Sequence, residues 1–190
     1  MSVSGFIGIA VMVVTAGYGI ALYNSLVSVK HSVSKAWSNI DVLLKQRHDE
    51  LPKLVATCQQ YMKHEQETLE KVMLARSGVS SALGQSNLGA LGQAETQMRQ
   101  GLMNLFAVAE AYPDLKANES FQSLQKRISQ LENNIADRRE FYNESVNINN
   151  VRIEQFPDIL IARFFKFMPF ELLDFEDAEL ADVNVKALFE

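Results

Sequence analysis

The sequence predicts an all-α protein in which an N-terminal transmembrane helix continues into an antiparallel four-helix bundle. Two observations carry this prediction: residues 1–29 contain no charged side chain, and after Lys30 apolar residues recur at alternating steps of four and three. No stretch shows the strict alternation that is typical of a strand. The expected domains are a membrane anchor over 1–29, a helical bundle over 30–168 and an acidic C-terminal tail over 169–190.

Composition and charge exclude several classes of protein. The chain has 190 residues, of which 47% are hydrophobic and 22% charged, and its formal net charge is −5. These values suit one globular domain with a short appendage and exclude a collagen-like, disulfide-rich or fully disordered chain. The acidic balance argues against nucleic-acid binding, which needs a clustered basic face. Because Cys58 is the single cysteine, no internal disulfide can form.

The apolar run over 5–29 is long enough to cross a bilayer as a helix, for which about 20 apolar residues suffice. A cleaved signal peptide is the alternative, but no Lys or Arg precedes the run, so a retained helix is expected. Lys30 and Lys35 follow it, and this bias places the C-terminal side in the cytoplasm. Gly17 and Ala21 form a pair of small residues four positions apart, which lets transmembrane helices approach closely.

Apolar stripes after the membrane segment predict three long helices and a short one. The first is expected to run from Lys30 to about Arg76, with a bend at Pro52, because proline removes one hydrogen bond from a helix. The elements expected after it are a loop over 77–87, a second helix over 88–112, a third from the N-cap Asn118 to about residue 149, and a short fourth over 158–166.

Several charged and amide side chains fall on these apolar stripes, where a buried charge needs a partner. Arg47 and Arg138 would either pair with acids of the bundle, reach water along their stems, or bind an anionic ligand. We favour a buried polar network that fixes the helix register. The members expected in this network are Asp41, Arg47, Glu132, Arg138 and Asn149.

The common motifs of catalytic and metal centres do not occur in this sequence. The three histidines form neither a His-Glu-x-x-His motif nor a Glu-x-x-His pair, so no metal site is expected. There is no Gly-x-Ser-x-Gly elbow, P-loop or Gly-x-Gly-x-x-Gly fingerprint. The sequence therefore predicts neither enzymatic activity nor a cofactor.

Six of the eleven phenylalanines lie between residues 156 and 175. This Phe-rich end has three interpretations: a cap over the bundle core, a contact with a neighbouring subunit, or an interfacial membrane helix. With three long helices, the fourth would begin far from the bilayer, which favours the core cap, then the subunit contact, and the membrane contact last. The residues expected at a subunit contact are Phe164, Phe165, Phe167 and Phe170. The acidic residues after them predict a solvated tail.

Three blocks of the sequence resemble the LemA family of bacterial membrane proteins. The most specific is Ala-Tyr-Pro-Asp-Leu-Lys-Ala-Asn at 111–118. An earlier block over 37–55 contains Trp37 and the Arg-His-Asp-x-Leu-Pro segment, and a later one over 132–149 contains Glu-Asn and Tyr-Asn pairs. The resemblance implies an N-terminal membrane anchor with a cytoplasmic four-helix bundle, and it implies no particular reaction. A magnetosome-associated branch of the family hints at membrane organisation.

We therefore expect a non-enzymatic, membrane-anchored helical scaffold that self-associates and organises or shapes the membrane. The expected location is the bacterial inner membrane, as a single-pass protein whose C-terminal domain is cytoplasmic. The expected partners are the lipid bilayer and further copies of the chain. Two alternatives stay open: a regulatory adaptor that binds another membrane protein, such as a protease, and a helical bundle that binds a small anion.

Overall fold

The computed structural model describes residues 3–174, and every regular element in that range is an α-helix. The predicted all-α class with a long apolar N-terminal helix is confirmed, whereas the count of four helices in the bundle stays a prediction. The helices are α1 (Val3–Gln59), α2 (Gln66–Gly84), α3 (Leu88–Ala109), α4 (Pro113–Lys116), α5 (Glu119–Glu154) and α6 (Asp158–Phe164).

The chain divides into two compact units that share two helices. The first unit combines the N-terminal part up to Val42 with Ala136–Leu172, so it holds the start of α1, the end of α5 and α6. The second unit contains Leu43–Ile135 together with Leu173. Each unit has its own buried apolar residues.

The helix predicted to continue to Arg76 ends at Gln59, and this part of the prediction is wrong. Residues 60–65 form turns that contain neither glycine nor proline, so the local sequence carries no breaker. Hydrogen bonds from distant residues hold this turn: Asn118 donates to the Tyr61 hydroxyl at 3.0 Å, and the Tyr112 hydroxyl donates to Glu65 at 3.2 Å. Tertiary contacts therefore accompany a break that periodicity alone could not place.

The loop predicted over 77–87 is also wrong for most of its length, because α2 continues to Gly84. Small residues here serve close packing of α2 against α3. A Cβ atom at Gly78 would lie 3.7 Å from that of Ala94, and one at Gly101 would lie 3.6 Å from the Val72 side chain. The turn that follows is short, and the Asn87 side chain caps α3 by accepting from the Ala90 amide at 2.9 Å.

In the first unit, α1 and α5 run antiparallel. Arg152 donates to the Ser25 hydroxyl at 3.0 Å, and the rings of Trp37 and Tyr142 lie 5.6 Å apart. A step forward along α1 thus corresponds to a step backward along α5. The helix break after Gln59 adds one long helix to the three that were predicted, so α5 is the fourth and returns toward the start of the chain. This order corrects the expected topology.

The N-terminal part of α1 exposes its apolar side chains. Within the described residues, α1 is the one helix long and apolar enough to cross a membrane, judged by length and composition. Its most apolar window has no buried residue in the structure. Burial begins at Leu26 and continues at helical intervals through Val33, Ala36 and Ile40. The helix therefore changes from an exposed apolar rod into a core element near residue 26.

Candidate functional site

A buried ion cluster lies inside the second unit. Arg47 of α1 is 1% exposed, and its guanidinium donates to Glu132 of α5 at 2.6 Å and to Glu95 of α3. Glu95 is also buried, and Glu132 is partly covered. One cation thus connects three helices through two charge-assisted hydrogen bonds, each stronger than a neutral one.

The electrostatics of this cluster are those of a paired buried charge. Burial by itself lowers the pKa of Arg47, but attraction by Glu95 and Glu132 outweighs it, so the pKa lies above the ordinary value. Arg47 stays charged under all ordinary conditions. Two carboxylates already occupy this guanidinium, and such a site does not favour an anionic ligand.

Next to this cluster, Arg76 of α2 contacts His48 of α1 twice. Its Nε donates to the His48 backbone carbonyl at 2.9 Å, and its Nη2 lies 2.6 Å from the imidazole Nε2. In a regular helix that carbonyl would accept from the amide of residue 52, but Pro52 has no amide hydrogen. Arg76 therefore donates to the carbonyl that Pro52 leaves without an amide donor. As a result, α1 continues through Pro52 and this carbonyl keeps a hydrogen-bond partner within the protein.

A further carboxylate completes the charged interior of this unit. Glu50 is buried and pairs with Arg127 of α5 at 3.2 Å and with Lys53, one turn along α1, at 3.3 Å. Together with the Arg47–Glu132 pair, this contact shows that α1 and α5 are antiparallel in the second unit as well.

A second cluster, which we call the aromatic junction, lies in the first unit at Tyr23, Phe164, Phe165 and Phe167. The Tyr23 ring lies 4.6 Å from that of Phe165 and 5.9 Å from that of Phe167, while Phe164 and Phe165 are 5.0 Å apart. Beneath it, Leu26 packs with residues of α5 and α6 in a small apolar cluster. The end of the Phe-rich segment therefore contacts α1 where its exposed apolar part ends.

Polar contacts fix the geometry of this junction. Arg152 of α5 donates to Asp158 of α6 at 2.6 Å as well as to Ser25 of α1, so three helices meet at one guanidinium. After α6 the chain reverses at Lys166, whose φ of 56° is left-handed, and the Phe167 amide donates to the Ala162 carbonyl at 2.9 Å. This reversal brings Phe167 back to α1.

Comparison with known proteins assigns the family. The model of the LemA family matches residues 36–187, which is most of the chain. The chain belongs to the LemA family. The resemblance inferred from the three sequence blocks is thereby confirmed, and the matched range includes the buried ion cluster and the phenylalanines of the aromatic junction.

Two curated relatives of this LemA protein come from Paramagnetospirillum magneticum. They are named magnetosome protein MamQ 1 and magnetosome protein MamQ 2, and each is 31% identical over 90 residues. That stretch is 47% of this chain and 33% of either relative, so the matched region spans a third of their length. Family membership, this similarity and the apolar N-terminal helix together indicate a membrane-associated helical protein.

The structure of the LemA protein joins two members of the network expected from sequence. Arg47 and Glu132 are in direct contact. Arg138 is exposed on α5, so the expectation that it is buried is wrong. Its guanidinium is solvated, which costs less free energy than burying it without a partner. Asp41 and Asn149 belong to the other unit, where Asn149 is buried and donates to Asn150 at 3.2 Å.

Sequence reasoning missed Glu95 and Arg76 as members of the charged interior. Glu95 occupies a stripe position of the second predicted helix, between Leu91 and Met98, and an acid at such a position signals a buried partner. The position of Arg76 in the sequence did not indicate its role. That role is to donate to a carbonyl of another helix, which lacks an amide donor because of a proline.

The Phe-rich end is not far from the apolar helix, so the topological expectation behind the preference for a core cap is wrong. Phe164 and Phe165 are exposed, while Phe167 and Phe170 are partly covered. The Asn150 side chain donates to the Phe170 carbonyl at 2.9 Å and accepts from its amide at 3.0 Å. The acidic tail after residue 174 lies outside the described residues.

Gly17 and Ala21, the pair expected at a membrane helix contact, are both exposed on α1. Among residues 3–174, no atom outside the neighbouring backbone of α1 would lie within 4 Å of a Cβ atom at Gly17. Four residues along a helix place the two on nearly the same face. This face is therefore open to a neighbouring helix or to lipid.

Proposed function

We propose that this LemA protein is a non-enzymatic, membrane-anchored helical scaffold that self-associates and organises or shapes the membrane. The observation that carries the proposal is the continuity of α1, a single helix over Val3–Gln59. Its exposed apolar residues precede Leu26, and its later residues are buried in the core of both units. A single helix thus contains both the proposed membrane anchor and residues of the folded core.

Self-association through the membrane helix is supported by the open face at Gly17 and Ala21. In lipid, helix association depends on close packing rather than on the hydrophobic effect, and small residues allow backbones to approach. In the part of the chain that the structure describes, no side chain covers Gly17. The chain is also similar over 90 residues to two proteins that are named magnetosome proteins.

The charged interior supports a structural rather than a catalytic role. Its charged groups form ion pairs with one another. Arg47 pairs with Glu95 and Glu132, and Glu50 pairs with two cations. These pairs connect helices and leave no guanidinium or carboxylate of the cluster directed at a substrate. The Lys residues after the span support the proposed orientation, in which the C-terminal side lies in the cytoplasm.

The test is the molar mass of the full-length protein in mild detergent, measured by light scattering with correction for bound detergent. We expect a multiple of the 21.4 kDa chain mass. The double substitution Gly17→Leu with Ala21→Leu should shift this mass toward the monomer, because leucine side chains hold the backbones apart. The matched control is Gly8→Leu, nine residues earlier and therefore on the opposite face, where a Cβ atom is equally unobstructed.

An unchanged oligomer in the double variant would place self-association elsewhere and contradict the membrane-helix contact. Monomers of the unsubstituted chain would contradict the scaffold itself and redirect attention to a different membrane protein as partner. A loss of mass in Gly8→Leu equal to that of the double variant would show a general effect of bulk in the span.

A further inference from the structure

Large apolar side chains are exposed together over residues 156–168. Phe156 is 80% exposed, Phe164 79% and Met168 71%, and Leu160 and Phe165 are also exposed. Leu160 and Phe164 lie four residues apart on α6 and so share its outer face, opposite the buried Ala162. Soluble proteins rarely leave a large apolar patch exposed to water, and patches of this kind mark contacts with proteins or membranes.

The position of this patch favours the membrane. The aromatic junction fixes it beside Tyr23 of α1. From Gly5 to Tyr23 the helix rises by about 27 Å, since each residue adds about 1.5 Å. This matches the roughly 30 Å hydrocarbon core of a bilayer, so Tyr23 falls at its edge when the apolar run spans it. The patch then lies at the level of the lipid headgroups, where aromatic rings are enriched.

The charges of the segment agree with a lipid surface. Arg163 and Lys166 are exposed next to the apolar side chains. The acid within 156–168 is Asp158, which is buried and paired with Arg152. The exposed charges of the segment are therefore positive, which suits anionic headgroups, while its apolar side chains suit the acyl chains below them.

We propose that residues 156–168, which include α6, form a second membrane contact beside the spanning helix. The apolar side chains of Phe156, Leu160, Phe164, Phe165 and Met168 enter the interface, and Arg163 and Lys166 bind anionic headgroups. This contact rests on the membrane anchor of the proposed function and is independent of self-association. It holds the first unit against the bilayer and fixes the orientation of that unit relative to the membrane surface.

The test uses full-length protein in vesicles of phosphatidylglycerol and brominated phosphatidylcholine, in which bromine quenches nearby tryptophan. Trp37, the single tryptophan, is replaced by Phe, which keeps an aromatic ring against Tyr142. Tryptophan is then placed at Phe164. We expect blue-shifted emission that bromine near the carbonyl end of the acyl chain quenches more strongly than bromine near the methyl end, because interfacial helices sit about 5–10 Å into the headgroup boundary.

Two further tryptophan positions separate the outcomes. Tyr18→Trp reports the spanning helix itself, and Phe141→Trp is a matched negative control, since Phe141 is an exposed phenylalanine of the same unit, about 16 Å along α5 from Arg152. Quenching at Phe164→Trp and Tyr18→Trp but not at Phe141→Trp supports the proposal. Quenching at Tyr18→Trp alone overturns it and leaves the anchor intact, whereas no quenching at either position overturns the anchor.

A blue shift at Phe164→Trp without quenching would mean that protein, such as a second copy, covers the patch, and this also overturns the proposal. Leu160→Trp on the same face gives an independent measurement if the first variant does not fold. Replacement of Arg163 and Lys166 by Gln should reduce the shallow quenching in vesicles with phosphatidylglycerol, and not in vesicles of phosphatidylcholine alone.

Discussion

Arg76 donates from Nε to the backbone carbonyl of His48 at 2.9 Å, and in doing so replaces the hydrogen bond that Pro52 cannot make. The arginine and the proline lie 24 positions apart and on different helices, yet they act on the same carbonyl. Proline in a helix interior usually costs about 3 kcal/mol, part of which is the lost hydrogen bond. A donor from α2 supplies this missing hydrogen bond.

This relationship predicts energetic coupling between Arg76 and Pro52. Arg76→Leu should destabilise the protein by about 1–2 kcal/mol, because it leaves a helix carbonyl without its donor. In the Pro52→Ala background, the backbone amide of the new alanine can bond to the His48 carbonyl, so the same substitution should cost about 1 kcal/mol less. Urea titrations of the four full-length proteins in detergent, followed by circular dichroism, measure both costs.

The control for this cycle is Lys71→Leu, which removes an exposed pair with Glu67 on the same helix. It should change stability by no more than about 0.5 kcal/mol, equally in both backgrounds. Equal costs of Arg76→Leu with and without Pro52 would show that the carbonyl is not what the arginine stabilises.

Arg47 predicts a larger effect, because it neutralises two carboxylates. Arg47→Met should cost about 3–5 kcal/mol, since Glu95 and Glu132 are left as like charges without their cation. Adding Glu95→Leu should recover part of this loss by removing one of the two buried charges. The measurement is the same urea titration, with Lys71→Met as the matched substitution of an exposed cation. Equal midpoints for Arg47→Met and Lys71→Met would contradict the buried pairing.

The sequence predicted those features of the fold that have a local physical cause. The uncharged run before Lys30 predicted a membrane-spanning helix because charge is costly in a bilayer, and the structure has a long apolar helix there. Asn118 predicted the start of α5, and its side chain accepts from the Phe121 amide at 3.0 Å. In both cases the physical cause is local, so the residue type alone was informative.

The failures have the opposite character. The break after Gln59 is accompanied by hydrogen bonds from Asn118 and Tyr112, about 50 residues away, and Gly78 packs against the neighbouring α3. Because that break changes the number of helices, it also reversed the expected direction of α5. The same holds for the candidate sites. Arg47 was identified from its position on an apolar stripe, but the contact of the Phe-rich end with Tyr23 could not be predicted without the correct order of helices.

The His48–Arg76 contact predicts a dependence of stability on pH. Burial and then the Arg76 guanidinium lower the pKa of His48 below its ordinary value of about 6.5. The folded protein therefore binds this proton less readily than the unfolded chain, so the stabilisation is complete above about pH 6.5 and is lost as the pH falls through the folded pKa. The thermal midpoint of the unsubstituted protein should drop more between about pH 7.5 and about pH 5.5 than that of His48→Gln. Parallel pH profiles for the two proteins would exclude this histidine.

Asn150 predicts how the end of the Phe-rich segment is held. Its amide group both donates to and accepts from the backbone of Phe170, as a neighbouring strand would. Asn150→Leu should remove both hydrogen bonds and cost about 1–2 kcal/mol, and hydrogen exchange of the peptide around Phe170 should become faster. Asn150→Asp keeps the acceptor for the Phe170 amide but loses the donor, so it should give intermediate exchange. The control is Asn147→Leu, an exposed asparagine one turn earlier on α5, for which exchange at Phe170 should not change. Equal exchange in all three variants would mean that other contacts hold this segment against α5.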